Sequence, residues 1–97
     1  MADVHDPGGA AELERLAAEI DSQIYAVTLV RAQGRRPCLS LTNRRLPQAT
    51  EFIYAAPGGD DEWWFWWGWA QRICPVADLA GATAAIDRVL QALGGNR

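Results

Sequence analysis

All five tryptophans of this 97-residue chain lie within the run Glu-Trp-Trp-Phe-Trp-Trp-Gly-Trp-Ala-Gln-Arg-Ile of residues 62–73. Aromatic residues favour β-strands, and successive side chains on a strand point to opposite faces of the sheet. The run therefore predicts a strand with Trp64 and Trp66 on one face and four aromatics on the other: Trp63, Phe65, Trp67 and Trp69. Because it is longer than the usual strand of about five or six residues, we expect a bulge or bend at Gly68.

Three further strands are predicted before the tryptophan run, at residues 24–31, 37–42 and 50–55. These ranges are rich in β-branched and aromatic residues or alternate between apolar and polar side chains. Turn-forming residues separate the strands, namely Gly34, Pro47 and the run Pro57-Gly58-Gly59-Asp60-Asp61. Connections this short pair consecutive strands antiparallel.

A helix is predicted on either side of the strands. Residues 10–21 place Leu13, Leu16, Ala17 and Ile20 on one helical face. Residues 79–93 form the second helix, with Asp78 as the N-cap and Gly94-Gly95 as the stop signal. Its apolar face is expected to consist of Leu79, Thr83, Ile86, Val89, Leu90 and Leu93.

The predicted fold class is therefore α+β, with a helix, a four-stranded antiparallel meander sheet and a second helix, and with both helices on one face of the sheet. A single domain is expected over residues 10–93, between flexible tails at residues 1–9 and 94–97. The hydrophobic fraction of 49% is enough for one modest core.

Two helices on one face leave the second face of the sheet uncovered. We expect the helix side to take Val27, Leu29, Leu39, Leu41, Phe52, Phe65 and Trp67. The candidate binding residues on the uncovered face are then Thr28, Ser40, Thr42, Glu51, Ile53, Trp64 and Trp66. A half-polar face with large aromatics is typical of a binding surface, where tryptophan is a frequent anchor. The alternative is that loops shield Trp64 and Trp66.

The leading functional hypothesis is a small non-enzymatic interaction or adaptor protein that acts through the tryptophan-rich strand and the uncovered sheet face. In a simple meander residues 62–73 form an edge strand, and an apolar edge invites pairing. We therefore expect a homodimer, formed through that strand or through the uncovered face, with a heterologous protein partner as a further possibility. The alternative is a small-molecule binding domain with an aromatic-walled pocket on the same face.

No catalytic residue, metal site or cofactor is predicted. His5, the only histidine, lies in a tail, where it cannot be held as a general base for a cysteine or serine nucleophile. Two cysteines and one histidine cannot complete a zinc site. The acidic run Asp60-Asp61-Glu62 is typical of a solvated hairpin tip rather than a calcium loop.

A net charge of −3 disfavours nucleic acid, and the arginines around residues 31–45 are expected at opposite ends of a strand. No apolar run is long enough for a membrane helix, and no secretory signal is recognised at the start, so a cytoplasmic location is expected. Cys38 and Cys74 are expected to be reduced, because strands two apart in a sheet place Cα atoms at about 9–10 Å, beyond the disulfide limit of about 7 Å.

The stretch Pro37-Cys38-Leu39-Ser40-Leu41-Thr42-Asn43-Arg44-Arg45 and the run of residues 62–73 together resemble small uncharacterised proteins of high-GC bacteria that have a tryptophan-rich strand. The resemblance covers about the middle half of the chain. It implies a bacterial origin and carries no activity, ligand or residue role.

Overall fold

The computed structural model describes residues 9–31, 33–59 and 61–91. Two helices flank a five-stranded antiparallel sheet with strand order β1-β2-β3-β4-β5. The strands are β1 Tyr25–Val30, β2 Cys38–Asn43, β3 Thr50–Pro57, β4 Trp63–Trp67 and β5 Arg72–Pro75. The helices are α1 Ala10–Glu19 and α2 Leu79–Ile86, and a π-helical segment, Asp87–Gln91, continues α2. The α+β class and the helix–sheet–helix order are confirmed.

The sheet has five strands rather than the predicted four, because the tryptophan run divides into β4 and β5. The chain reverses just after Gly68, where a bend was expected, and Ala70 adopts a positive φ of 71° in the turn. The amide of Ala70 donates to the carbonyl of Trp67 at 2.9 Å and closes the turn. A tight turn usually places glycine or asparagine at a positive φ. With alanine there, the sequence predicted a bulge or bend at Gly68 but not a full reversal of the chain.

Cross-strand register fixes which residues share a face, because directly opposed residues point to the same side of a sheet. Leu39 lies opposite Ile53, and Leu41 lies opposite Glu51. We name the side that the helices cover the covered face. The open face is the other side and consists of Ala26, Thr28, Val30, Cys38, Ser40, Thr42, Thr50, Phe52, Tyr54, Ala56, Trp64, Trp66, Arg72 and Pro75.

Three face predictions on β3 are wrong. Ile53 and Glu51 were expected on the uncovered face, but the register places both on the covered face, and Ile53 is completely buried. Phe52 was expected under the helices, but it lies on the open face and is 43% exposed. Phe52, Ile53 and Tyr54 are apolar in succession, so alternation could not set the phase of this strand.

The core lies between the covered face and the helices. Leu13 and Leu16 of α1 and Ile86 of α2 are buried in one apolar cluster with Phe65 and Trp67. This confirms that both helices pack on one face. Asp78 caps α2 as predicted, since its carboxylate accepts from the amide of Gly81 at 2.9 Å.

Gly9, which the sequence placed in the flexible tail, is buried and precedes α1 directly. Its φ is +81°, and a Cβ there would lie 2.8 Å from that of Ala55 and 2.9 Å from the ring of Trp63. Only glycine fits this close approach. The rest of the predicted tails, at residues 1–8 and 94–97, and Leu93 lie outside the described residues.

The end of the second helix is fastened to the sheet by Asn43, a buried polar residue on the covered face. Its Nδ2 donates to the carbonyl of Leu90 at 3.2 Å, while its Oδ1 accepts from the amide of Arg45 at 2.9 Å. One side chain thus joins the β2–β3 connection to the π-helical segment.

Candidate functional site

The open face is the candidate functional site. Five of the seven predicted binding residues lie on it, namely Thr28, Ser40, Thr42, Trp64 and Trp66, whereas Glu51 and Ile53 do not. Two aromatic residues of the face, Phe52 and Tyr54, were missed. The signal that could have found them is the strand pairing itself, because Tyr54 lies directly opposite Trp66.

The two tryptophans of the open face are held differently. The indole Nε1 of Trp66 donates to the carbonyl of Ala56 on the neighbouring strand at 3.2 Å. Trp64 lies against Gly58, where an added Cβ would overlap the indole ring. The Nε1 atom of Trp64 is buried and has no hydrogen-bond partner in the described part of the chain. Both rings therefore lie close to the sheet surface.

A guanidinium group covers one of these rings. The Cζ atom of Arg72, on β5, lies 4.4 Å from the ring centroid of Trp64. This is a cation–π contact, whose strength comes from the negative potential above the ring. A β-bulge makes it possible, because the register between β4 and β5 shifts between Phe65 and Trp66. The shift lets Arg72 reach the open face while Ile73 and Cys74 both pack towards the core.

Cys38, Tyr54, Trp66 and Arg72 form a line across four strands, which we name the cross-strand row. Tyr54 lies opposite Trp66, and Trp66 opposite Arg72. Burial raises the pKa of Tyr54, the adjacent Cys38 acts in the same direction, and the positive charge of Arg35 acts against both. Arg35 precedes Cys38 by three residues in the β1–β2 hairpin, so it lies at the Cys38 end of the row.

Arg36 belongs to the same hairpin and reaches β3. Its Nη1 donates to the carbonyl of Ala55 at 3.1 Å. Continuing the β2–β3 register beyond Leu39 and Ile53 places Pro37 opposite Ala55. Proline has no N–H to donate, so the guanidinium supplies the missing donor. The hairpin is thereby fixed beside the cross-strand row.

The open face and the helix side of the molecule differ in their charged residues. The open-face strand positions contain one charged residue, Arg72, and no carboxylate. Within the described residues, ion pairs involve Arg15 and Arg31 with glutamates of α1, and neither Arg35 nor Arg72 forms one. The carboxylates nearest in sequence to the aromatic strand are Asp61 and Glu62, which precede β4 in the hairpin. The open face is therefore aromatic and locally basic although the chain is acidic overall.

The tryptophan-rich strand is not at the edge of the sheet. β4 pairs with β3 on one side and with β5 on the other, so the expected edge position is wrong. The edges are β1 and β5. This is consistent with the apolar composition of β4, because a central strand does not need the charged or proline residues that protect an exposed edge from pairing.

A cavity of about 260 Å³ lies on the helix side, between the end of α1 and α2. Its lining includes Glu19, Asp21 and Asp87. At its base the hydroxyl of Tyr25 donates to Oδ1 of Asp87 at 2.7 Å. Burial, followed by that hydrogen bond, raises the pKa of Tyr25 to about 12. This cavity is not the aromatic-walled pocket predicted for the opposite face.

Both cysteines are buried free thiols. They lie three strands apart, on β2 and β5, rather than two apart, and on opposite faces of the sheet. Burial, together with the charge of Asp78, raises the pKa of Cys74 to about 11. A thiol that stays protonated at neutral pH is a poor nucleophile.

Within the described residues no group of three or more histidine, cysteine, aspartate or glutamate side chains is arranged to hold a metal ion. None of the described helices combines the length and the apolar composition needed to cross a membrane. No family model, curated protein or solved structure matches the chain. The resemblance to proteins of high-GC bacteria therefore stays a prediction.

Proposed function

We propose that this chain is a non-enzymatic interaction domain, located in the cytoplasm, whose docking surface for other proteins is the open face. The observation that carries the proposal is the position of both helices on the opposite side, so that no described helix covers the open-face aromatic residues of β3 and β4. Phe52 is 43% exposed and Val30, in the same face, is 40% exposed. Apolar area in water costs about 25 cal/mol per Å², and contiguous patches of this kind mark interaction sites.

The chemistry of the possible nucleophiles supports a non-enzymatic role. Catalytic sites usually lower the pKa of a nucleophilic cysteine or bring a base beside it. In this chain burial raises the pKa of both Cys74 and Tyr25. Each group is thus held in its neutral, less reactive form.

The proposal still includes self-association, but through only one of the two interfaces that the sequence suggested. Because β4 is paired on both sides, it cannot add a strand from a second copy. Stacking of two open faces is the remaining form of the homodimer that uses the aromatic residues.

Two measurements test the proposal with one set of variants. Phe52→Thr combined with Trp66→Thr removes apolar area from the open face and keeps strand propensity. Ile24→Thr is the matched control, because Ile24 is 36% exposed and lies on the helix side at the cavity. Sedimentation gives the mass at tens of micromolar, and affinity capture from native cells identifies bound proteins.

We expect the wild type and the Ile24 variant to retain the same complexes, homotypic or heterotypic, and the double variant to lose them while unfolding cooperatively. The proposal is wrong if neither the mass nor the captured proteins depend on Phe52 and Trp66.

A further inference from the structure

We infer that the open face binds an extended acidic segment of a different protein, with carboxylates received by Arg35 and Arg72 and an apolar side chain between them on the cross-strand row. This inference rests on the proposed function and names the chemistry of its partner. It goes beyond a generic apolar patch because Arg72 and the aromatic residues belong to one row, and Arg35 lies in the hairpin at the other end of that row.

The first step is the position of the positive charges. Arg72 lies opposite Trp66 at one end of the row, and Arg35 lies in the β1–β2 hairpin, three residues before Cys38, at the other. Arg36 is committed to the carbonyl of Ala55, so the hairpin that carries Arg35 is anchored. From sequence the arginines were expected at opposite ends of a strand. Those were the arginines of residues 31–45, and β2 does lie between Arg36 and Arg44. Arg72 was not among them, and β5 adds it to the aromatic surface that the β1–β2 hairpin flanks.

The second step is the missing counter-charge. Neither Arg35 nor Arg72 has an ion pair within the described residues, and the open-face strand positions hold no carboxylate. An isologous dimer would bring each open face against an identical surface, where Arg72 would meet no strand carboxylate. Charge complementarity therefore favours an acidic partner over a second copy.

The third step is the spacing. Three strand spacings separate β2 from β5 at the ends of the row, or roughly 14 Å. In an extended peptide, side chains on one side recur about every 6.8 Å, so residues i and i+4 are about 13–14 Å apart. A segment with acidic residues at i and i+4 and an apolar residue at i+2 thus matches arginine, aromatic and arginine in turn. Guanidinium–carboxylate hydrogen bonds are among the strong ones.

The probe is a fluorescein-labelled peptide with the repeating pattern glutamate–serine–leucine–serine–glutamate, and anisotropy is measured with the full chain at low and high NaCl. Arg35→Gln and Arg72→Gln each remove one charge, and Arg72→Lys keeps the charge while losing the planar contact with Trp64. Arg15→Gln is the matched control, since Arg15 is an exposed arginine on α1. A glutamine-for-glutamate peptide and a short oligothymidylate are the comparison probes.

We expect each Arg→Gln variant to weaken binding of the acidic peptide about tenfold, with partial recovery in Arg72→Lys and no change in Arg15→Gln. The glutamine peptide should bind about as weakly as the double Arg→Gln variant binds the acidic one, and salt should weaken the acidic peptide most.

The inference is overturned if both peptides bind equally, if the acidic peptide does not bind, or if Arg15→Gln loses as much as Arg72→Gln. Tighter binding of oligothymidylate than of the acidic peptide, with loss in the same variants, would also overturn it and assign the face to single-stranded nucleic acid. If the glutamine peptide binds equally well and Phe52→Thr abolishes that binding, the proposed docking surface stands and only the assignment of charge fails.

Discussion

The two faces of the sheet are built from the same strands but differ in how deeply their aromatic side chains are buried. On the covered face, Phe65 is completely buried and Trp67 nearly so, under two helices. On the open face Trp64 and Trp66 are only partly buried and Phe52 is exposed, although β4 contributes equally bulky residues to both sides. Large aromatic side chains on the covered face stabilise the monomer. The proposed function assigns those on the open face mainly to contact with another protein.

The difference between the faces is tested most directly by truncating one phenylalanine on each. Phe65→Ala should lower the free energy of unfolding by about 3–5 kcal/mol, because it leaves a cavity among residues that cannot close around it. Phe52→Ala should lower it by less than about 1 kcal/mol, as expected for an exposed side chain. Urea unfolding followed by tryptophan fluorescence measures both. Equal losses would mean that the open face is part of the monomer's core.

Alkaline pH should lower the free energy of unfolding through ionisation of Tyr25, a residue of the covered face. Its pKa is raised from 10.0 to about 12 in the folded protein, so the unfolded chain releases this proton first as pH rises. The stabilising contribution is complete below about pH 10 and is lost between about pH 10 and 12, amounting to about 2–3 kcal/mol. Unfolding free energies measured across this range for the wild type and Tyr25→Phe should show a shallower decline in the variant.

Cys74 requires its own control in that experiment, because its pKa is also raised, from 9.0 to about 11. Its contribution has the same sign and is lost between about pH 9 and 11. Cys74→Ala should remove the earlier part of the decline and leave the later part. A wild-type stability that does not change up to pH 12 would contradict the burial of both groups.

Neighbouring polar residues on β2 allow a second test of the two faces. Asn43→Ala should cost about 1–3 kcal/mol, because it leaves the amide of Arg45 and the carbonyl of Leu90 without their partner. Thr42→Ala is the matched control on the open face, where the hydroxyl shares a 2.9 Å hydrogen bond with that of Thr50. It should cost no more than about 1 kcal/mol. Thermal or urea unfolding measures both losses. A larger loss of unfolding free energy in Thr42→Ala than in Asn43→Ala would mean that the open face contributes more to stability than the covered face.

The smallest predicted effect concerns the turn that separates β4 from β5. Ala70 has a φ of 71°, a conformation that costs a residue with a Cβ about 1–2 kcal/mol. Ala70→Gly relieves that cost but increases the freedom of the unfolded chain, so a net gain of about 0.5–1 kcal/mol is expected. A calorimetric midpoint above that of the wild type checks this. A lower midpoint would mean that the turn does not hold Ala70 in the left-handed region.

The sequence by itself determined the α+β class, the order of helix, sheet and helix, the cap at Asp78 and the apolar face of α1. These follow from hydrophobic periodicity, capping residues and turn residues within short segments. Each of these signals arises from interactions between residues that are close in sequence. The composition of residues 62–73 also suits a central strand, but the predicted four-strand meander placed it at an edge. The sequence could not show that β5 is the second neighbour of β4.

Only the tertiary structure decided the phase of β3, the central position of β4 and the assembly of the cross-strand row. Phe52, Ile53 and Tyr54 are all apolar, so local alternation permits either phase, and the choice belongs to hydrogen bonds with β2 and β4. The placement of Arg72 depends on a bulge and on a turn whose positive φ falls on alanine. Pairing between residues distant along the chain sets these features, and for that reason the candidate site was found only in part from the sequence.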